Sequence, residues 1–500
     1  MELLHNLGLG FHVALSLHNL LYCFGGVLLG TLIGVLPGIG PVATISMLLP
    51  ITFQLEPVSA LIMLAGIYYG AQYGGSTSAI LVNLPGEASS VVTCLDGYAM
   101  ARKGRAGHAL AVAAIGSFVA GCVATLALAA FAPPLAELAF KFGAAEYFSL
   151  MVLGLVAAVV LAQGNLMKAV AMIVFGILLG LVGMDTVTGD QRFTFDRPEL
   201  SDGIGFVVVA MGLFGFAEII VNLERGASRE VLSQRIGRLL PDRADMKRAW
   251  GAIARGTGIG SLLGVLPGGG ATLGSFASYM LEKRIAREPQ RFGQGAIEGV
   301  AGPESANNAG AQTSFIPMLT LGIPPNAVMA LMVGAMTIHG IQPGPQVMSR
   351  QPELFWGMIA SMWIGNLFLV VLNLPLIGIW VRLLSAPYRL LYPAILLFCA
   401  VGVYSLQSSV YDVLLASGFG LLGYVFIRLG CEPAPFLLGF VLGPMLEDNF
   451  RRALTISKGD LSVFVTRPLS ATLLALALLL LLAVVAPAVR RAREQAFRET

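Results

Sequence analysis

The chain of 500 residues is 56% hydrophobic and 12% charged, with a mean hydropathy of +0.80 and a formal net charge of +3. Soluble domains carry about 25% charged residues, so this composition excludes an ordinary soluble domain. It predicts an all-α integral membrane protein instead. The small positive charge is spread between apolar segments, which argues against a nucleic-acid partner.

Apolar segments follow one another along almost the whole chain. Several approach the about 20 residues that a helix needs to cross a bilayer, and together they predict about twelve crossings. Two segments, 253–281 and 308–341, are interrupted by Gly and Pro, so broken or re-entrant helices are expected there. The other predicted segments are 19–36, 58–82, 108–132, 148–163, 167–184, 203–222, 354–381, 388–405, 410–428, 431–446 and 468–488.

Basic residues between these segments predict the orientation. They collect at Arg102–Arg105, Arg225–Arg248, Glu282–Arg291, Arg451–Lys458 and Arg490–Arg493. Short cytoplasmic loops are rich in Lys and Arg, so all five are expected on the cytoplasmic side, and the C-terminus with them. The loops at Pro133–Tyr147 and Asp185–Asp202 are poorer in net positive charge and are expected outside. The side of the N-terminus stays open.

A polar stretch with alternating charges, Glu224–Arg248, divides the chain near residue 225. Such a pattern is typical of a solvent-exposed helix. The predicted organisation has a first transmembrane repeat at 1–225 and a cytoplasmic amphipathic linker at 226–252. A second transmembrane repeat follows at 253–465, and a C-terminal helix with a basic tail at 466–500.

One heptad occurs twice: GVLPGIG at Gly34–Gly40 and GVLPGGG at Gly264–Gly270. Gly and Pro are costly inside a helix, so each copy predicts a helix break. A weaker, gapped match follows each copy, GAQYGGSTSAILVNLPG at Gly70–Gly86 and GAQTSFIPMLTLGIPP at Gly310–Pro325. The two halves are therefore expected to be structural repeats.

The flanking charges of the two copies are exchanged. No base follows the first copy closely, whereas Lys283, Arg284 and Arg287 follow the second. Further on, the first half carries Arg102–Arg105, and the corresponding 338–346 has no Lys or Arg. This exchange predicts two inverted-topology repeats whose broken helices meet near the membrane midplane, as in many secondary transporters.

The breaks and the polar residues near them are the predicted site. Broken helices free N–H groups for an anion and carbonyl groups for a cation such as Na⁺. Whether a metal ion binds stays open, and Na⁺ near Pro37–Gly40 and Pro267–Gly270 is the candidate. The candidate substrate-binding residues are Gly38, Gly40, Ser76, Thr77, Ser78, Asn83, Gly268, Gly270, Asn307, Asn308, Gln312, Thr313 and Ser314.

Two carboxylates, Glu87 and Glu304, lie next to predicted breaks and are candidates for ion coupling. Each could instead cap a helix at the membrane interface, and both interpretations stay open. Asp96 precedes a basic loop and is expected to cap or to pair there.

The glycines also allow other interpretations. Glycines at four-residue spacing, such as Gly26, Gly30 and Gly34, also predict close helix packing. Neither heptad continues into the Lys-Ser/Thr of a phosphate-binding loop, which argues against a nucleotide. The five cysteines show no metal or redox spacing. No cofactor is expected apart from a coupling ion, Na⁺ or H⁺.

The two heptads, the segment Tyr68–Leu110 and the segment Gly302–Ala335 resemble the large membrane subunit, a TctA-type permease, of the tripartite tricarboxylate transporter family. The resemblance spans most of the chain, from near residue 15 to near residue 450. It implies three partners: a small four-helix membrane subunit, a periplasmic solute-binding protein and a carboxylate solute. It also implies a multi-pass protein of a bacterial inner membrane.

The function expected on these grounds is binding-protein-dependent import of tri- or dicarboxylates, driven by a Na⁺ or H⁺ gradient, with no enzymatic activity. A homodimer is left open. The alternatives are a passive anion channel and a membrane scaffold for a small partner subunit. A membrane-embedded enzyme is disfavoured because Glu87, Glu304 and His339 are too scattered in the sequence to form one acid–base cluster.

Overall fold

A computed structural model of the chain describes residues 2–36, 40–162, 165–185, 188–225, 239, 241–266, 270–384, 393, 396–397, 399–404 and 408–485. The centres of both heptads, with the candidates Gly38 and Gly268 and the candidate Na⁺ positions around them, lie outside the described residues. So do most of the predicted linker and the basic tail at Arg490–Arg493.

The described chain is almost entirely helical, which confirms the all-α prediction. Its first α-helices are α1 (Glu2–Ala14), α2 (Leu17–Gly34), α3 (Pro41–Thr52), α4 (Pro57–Val82), α5 (Val91–Thr93), α6 (Ala99–Arg102), α7 (Ala106–Ala139), α8 (Ala144–Leu161), α9 (Leu166–Gly180), α10 (Phe206–Ala210) and α11 (Ala217–Arg225). The second half contributes α12 (Arg243–Gly264), α13 (Gly270–Ile285), α14 (Glu298–Thr313), α15 (Phe315–Leu321), α16 (Ala327–Ile338), α17 (Gln346–Arg350), α18 (Pro352–Asn373), α19 (Ile377–Leu384), α20 (Val410–Arg428), α21 (Pro433–Ile456), α22 (Val463–Thr466) and α23 (Pro468–Val485).

Short irregular elements complete the list. Two π-helical stretches lie at Cys94–Tyr98 and Met211–Phe216, and 3₁₀ turns lie at Ala88–Ser90, Pro198–Leu200 and Pro289–Arg291. Strands β1 (Gly183–Met184) and β2 (Gln191–Arg192) pair antiparallel, with Gly183 opposite Arg192.

Among the described helices, α2, α7, α18 and α20 are long and apolar enough to cross a membrane. Several shorter apolar helices accompany them. A membrane protein is thus supported by the helices themselves, and the count of about twelve crossings stays a prediction.

Both heptads interrupt helices where the sequence indicates. Helix α2 ends at Gly34 and α3 begins at Pro41; likewise α12 ends at Gly264 and α13 begins at Gly270. Proline at the first position of α3 suits a helix start, because its missing N–H would be unpaired there in any case.

The first unit consists of α2, α3 and α4. Three glycines of α2 pack against the backbone of α4: Gly26 against Met63, Gly30 against Ile67 and Gly34 against Ala71. This constant offset means that α2 and α4 run parallel. The start of α4 lies beside the start of α2, where Ser59 donates to Asn19 over 2.7 Å. Helix α3 must therefore run back along the other two, so α2 and α3 form a hairpin.

The second unit, α12, α13 and α14, repeats this arrangement. Gly256, Gly260 and Gly264 of α12 pack against Gly302, Ala306 and Gly310 of α14. Arg255, early in α12, pairs with Glu282, late in α13, over 2.7 Å. The four-residue glycine spacing thus serves close helix packing in both units, as one of the two interpretations predicts.

The two units meet along α4 and α14. Gln72 of α4 forms a hydrogen bond with Asn307 of α14. Ser76, one turn further along α4, forms one with Glu304, which lies one turn before Asn307 on α14. The paired positions rise on one helix and fall on the other, so α4 and α14 are antiparallel.

One end of the molecule carries most of the predicted cytoplasmic segments. Arg105 pairs with Asp245, and Arg248 and Arg291 both pair with Glu298, at 3.8 and 3.9 Å. Three of the five basic segments are thereby shown to share an end.

The fourth basic segment, Arg451–Lys458, and the loop Asp185–Asp202 are expected on opposite sides, yet they lie at the same end, so at least one of these two predicted sides is wrong. Arg451 pairs with Asp185 at 3.0 Å, and Arg192 pairs with Glu447 at 2.9 Å. Arg451–Lys458 therefore lies with the loop Asp185–Asp202 that is expected outside. Counting Lys and Arg along the chain could not show this, because the ion pairs that join the two segments link residues 255 and 266 positions apart.

Two predicted boundaries also move. Helix α7 continues through Pro133 and Pro134 to Ala139, so the loop expected from Pro133 begins later. Helix α12 begins at Arg243, inside the predicted linker, and Asp242 caps it by accepting from the backbone N–H of Asp245 over 2.7 Å.

Candidate functional site

A central cavity of about 610 Å³ lies where both units face α8 and α21. Its volume is within the range of small-molecule sites, about 300–1,000 Å³. The polar and backbone groups in its wall come from Gly40, Pro41, Tyr68, Gln72, Glu87, Ser89, Ala271, Thr272, Asn326 and Glu432. Ala158, Ala162, Phe214 and Leu438 belong to the apolar remainder.

Four described helices begin in this wall. They are α3 at Pro41, α13 at Gly270, α16 at Ala327 and α21 at Pro433. The start of a helix presents unpaired N–H groups and the positive end of its dipole. Their convergence favours an anion.

Among the described residues of the cavity wall there is no Lys or Arg, and there are two carboxylates, Glu87 and Glu432. An anionic ligand would have to approach them at close range, which is unfavourable in a medium of low dielectric constant. The wall therefore suits an anion best when a proton or a cation accompanies it.

Glu304 lies in the middle of α14, one helical turn before Asn307, which bonds the wall residues Gln72 and Glu87. Its side chain is buried, and the residue is 1% exposed. Its carboxylate accepts hydrogen bonds from Ser76 over 2.5 Å and from Thr93. No Lys or Arg of the described residues pairs with it. A charged carboxylate buried with hydroxyl partners alone is expensive, so this position suits a group that takes up a proton or a cation.

Glu87 is connected to α14 through the side-chain amide of Asn307, which also binds the amide of Gln72. Asn307 donates to Glu87 over 2.8 Å and accepts from Gln72 over 3.3 Å. Because a carboxylate accepts from the Asn307 nitrogen, the oxygen of Asn307 faces Gln72. Glu87 also caps the 3₁₀ turn Ala88–Ser90, as one of its two interpretations expects, and its part in ion coupling stays a prediction.

The other candidates of the second unit bind α7. Asn308 donates to Ser117 over 2.7 Å, and Gln312 accepts from Thr125 over 3.4 Å. These contacts hold α7 against α14.

The remaining hydroxyl candidates bond the backbone of their own helix. Thr77, Ser78, Thr313 and Ser314 each donate to a carbonyl three or four residues earlier. Asn83 ends α4 in the left-handed region, with φ of 56°. Gly40 lines the cavity directly, and Gly270 begins the helix whose next residue does.

Asp96 lies within a π-helical stretch and holds the start of α14. It accepts from the backbone N–H groups of Gly295 and Ala296, each over 2.7 Å, and from Tyr279 over 3.0 Å. It is a cap, as one of its two interpretations expects.

Sequence reasoning missed Tyr68, Gln72, Ser89, Thr272 and Asn326 in the cavity wall. Gln72 had a signal, because Gly-Ala-Gln recurs at Gly310–Gln312. Asn326 directly follows Pro325, where the weaker repeated segment of the second half ends.

The apolar helices, the broken-helix units and the cavity between them define an all-helical membrane protein. The family comparison makes this specific: residues 20–438 match the model of the tripartite tricarboxylate transporter TctA family. The chain belongs to this family, and a family of tripartite transporters implies partner subunits.

Two relatives come from Agrobacterium vitis. One, an uncharacterized 52.8 kDa protein in the TAR-I ttuC′ 3′ region, is 62% identical over 499 residues, which cover 100% of this chain and 99% of the relative. The other, an uncharacterized protein in the TAR-II ttuC′ 3′ region, is 62% identical over 240 residues, 48% of this chain and 99% of the relative. No solved structure matches the chain.

Proposed function

We propose that this chain is the large permease subunit of a binding-protein-dependent secondary transporter that imports tri- or dicarboxylates. A Na⁺ or H⁺ gradient drives it, a small four-helix membrane subunit accompanies it, and a periplasmic protein delivers the solute. Its setting is a bacterial inner membrane. The observation that carries the proposal is the central cavity: four helix starts face it, none of its described lining residues is Lys or Arg, and Glu304 is buried one helical turn from Asn307, which bonds two of its wall residues.

The architecture of this proposal is a pair of inverted repeats. Each unit has a helix, a break, a returning helix and a helix parallel to the first. The antiparallel pairing of Gln72 with Asn307 and of Ser76 with Glu304 supports opposite directions for the two units. Broken helices that meet between inverted repeats form the substrate site in many secondary transporters.

Coupling follows from the charges in and around the cavity. A proton or cation at Glu304, or at Glu87, reduces the negative charge that an arriving carboxylate solute meets. Each therefore raises the affinity of the protein for the other, because coupling between binding sites is reciprocal. The ion and the solute together shift the equilibrium between the inward-facing and outward-facing states only by as much as their affinities for these two states differ.

The test is uptake of radiolabelled citrate and of a C4-dicarboxylate into proteoliposomes. These contain the chain with its small subunit, have the binding protein outside, and carry Na⁺ and pH gradients imposed separately. We expect uptake only with the binding protein and one of the gradients. Entry without either would identify a passive channel, and binding-protein capture without any uptake would identify a scaffold.

A further inference from the structure

A second cavity, here called the outer cavity, has a volume of about 800 Å³ and lies at the end where Asp185 pairs with Arg451. Its charged lining residues are Asp448, Arg451 and Arg452. Polar side chains that line it with them are Tyr147, Gln342, Gln346, Asn449 and Thr455.

The outer and central cavities lie in line along the same two helices. Tyr147 and Met151 of α8 line the outer cavity, and Ala158 and Ala162 line the central one. At spacings of three and four residues these positions share one face of the helix. Eleven residues of helix separate Tyr147 from Ala158, a distance of about 16 Å.

Helix α21 shows the same pattern in the opposite direction. Leu438 lines the central cavity, and Met445, Asn449 and Arg452 line the outer one at helical spacing. One continuous face of each helix thus serves both cavities.

An apolar contact separates the two cavities. Gly154 lies between them on α8, and a Cβ atom there would be 3.7 Å from Ile323 and 4.0 Å from Leu442. Ile323 is 2% exposed and Leu442 is 1% exposed. An apolar constriction of this kind excludes a hydrated anion until it opens.

The outer cavity contains bases, which are absent from the described lining of the central cavity. Arg451 is held by Asp185 and Glu447, whereas Arg452 has no ion-pair partner among the described residues. Asp448 is the acidic group in the lining. An unpaired guanidinium in a polar cavity suits a carboxylate, which it can bind through two parallel hydrogen bonds.

We infer that the outer cavity is a second carboxylate subsite in line with the central cavity, with Arg452 as its anchor, and that Ile323 and Leu442 close the passage against Gly154. The inference rests on the proposed function and adds an ordered path to it. Solute is captured where bases are available and moves on to a site without bases, where an ion must accompany it.

Accessibility of single cysteines tests the path. In a full-length variant whose five cysteines are replaced and whose uptake is retained, Thr455→Cys probes the outer cavity and Ala158→Cys the central one. A membrane-impermeant maleimide is applied to spheroplasts and to inverted vesicles, and the preparation that labels Thr455→Cys identifies the outer side. From that side we expect no labelling of Ala158→Cys until Leu442→Ala, or Ile323→Ala, is added. Leu421→Ala, at an exposed position of α20, is the matched control.

Labelling of Ala158→Cys from that side without a second substitution would overturn the closure. Failure of both Leu442→Ala and Ile323→Ala to admit the reagent, in protein that elutes as a single species, would overturn the path.

Protection by solute tests the subsite in the detergent-solubilised protein, where the reagent reaches both ends. Citrate and a C4-dicarboxylate are each expected to slow labelling of Thr455→Cys. Arg452→Gln should raise the half-protecting concentration about tenfold or more, the effect of losing a charge-assisted hydrogen bond. Lys458→Gln, which removes an exposed charge at the same end, should not.

The two proposals fail differently. Protection of Ala158→Cys without protection of Thr455→Cys would refute the outer subsite and leave the proposed function standing. Absence of protection at both cysteines by both acids would refute carboxylate binding, and the proposed function with it.

Discussion

The two three-helix units share a backbone plan and differ in chemistry. In both, glycines four residues apart on the first helix let the third helix approach closely, as at Gly30 and Gly260. Along their common contact, however, α4 of the first unit offers Gln72 and Ser76, whereas α14 of the second offers Asn307 and Glu304.

The difference shows what the repeated sequence encodes. It encodes packing, because a close helix pair needs small residues at the same spacing wherever it occurs. The polar groups cannot be copied in the same way. Where the units meet, a donor of one must face an acceptor of the other, so complementary residues are needed rather than identical ones.

The largest expected effect is on the yield of folded protein, and it tests the glycine packing that both units share. Gly30→Leu and Gly260→Leu place a Cβ atom 2.3 Å from the carbonyl oxygen of Ile67 and 2.1 Å from that of Ala306. Overpacking costs about 1–3 kcal/mol or more, and backbone atoms cannot move aside, so little folded protein should reach the membrane. Fluorescence-detected size-exclusion chromatography measures the yield.

Gly25→Leu and Gly258→Leu are the matched controls on the same two helices, because a Cβ atom there would meet nothing within 4 Å. Equal losses at all four positions would mean that the glycine seams have no special role.

The next effect tests the part that differs. Glu304→Gln keeps the volume of the side chain and one acceptor oxygen, replaces the other oxygen by an NH₂ group that can only donate, and removes the capacity to be charged. We expect the variant to fold and its gradient-driven uptake to fall by about 100-fold. The loss of the ion contact costs about 3 kcal/mol, and no other group in the buried site can replace it. Uptake assays with imposed Na⁺ and pH gradients measure this, with exposed Glu137→Gln as the control. Uptake at the parental rate in Glu304→Gln would remove Glu304 from coupling.

Two neighbouring amides sharpen the comparison further. Asn307→Ala breaks the link between Gln72 and Glu87 at the cavity and should raise the KM for solute about tenfold, with a small effect on the yield. Asn308→Ala loses its bond to Ser117 on α7 and should lower the stability by about 1–3 kcal/mol without a change in KM. Uptake kinetics and thermal melting of the two variants separate the roles; the reverse assignment of effects would show that the site lies elsewhere.

The smallest effect concerns the start of α12. The backbone N–H of Asp245, as the largest cause, lowers the pKa of Asp242 below its usual value. Because folding lowers the pKa of Asp242, its charged form stabilises the folded protein. This stabilisation is complete at pH values above the unfolded-state pKa of Asp242 and is lost as the pH falls through its folded-state pKa. Asp242→Ala should therefore lower the Tm slightly at pH 7 and lose its effect in acid. Asp202→Ala, an exposed aspartate in a turn, serves as comparison; a Tm difference independent of pH would contradict the cap.

The sequence by itself determined the class of fold and the positions of the breaks. Apolar composition favours helices in a membrane, and the Gly-Pro heptads end α2 at Gly34 and α12 at Gly264, because several Gly and Pro residues in close succession act on the backbone locally. It could not show helix α1, which is too short to cross a bilayer, or the continuation of α7 through Pro133.

Only the tertiary structure decided which polar residues share the site. Gln72 and Gln312 stand at matching places in the repeat, yet the first faces the cavity and the second binds Thr125 of α7. Arg451 likewise reads as a topology signal until Asp185 is found beside it. A side chain's role depends on what packs against its face of the helix, and those neighbours come from segments hundreds of residues away.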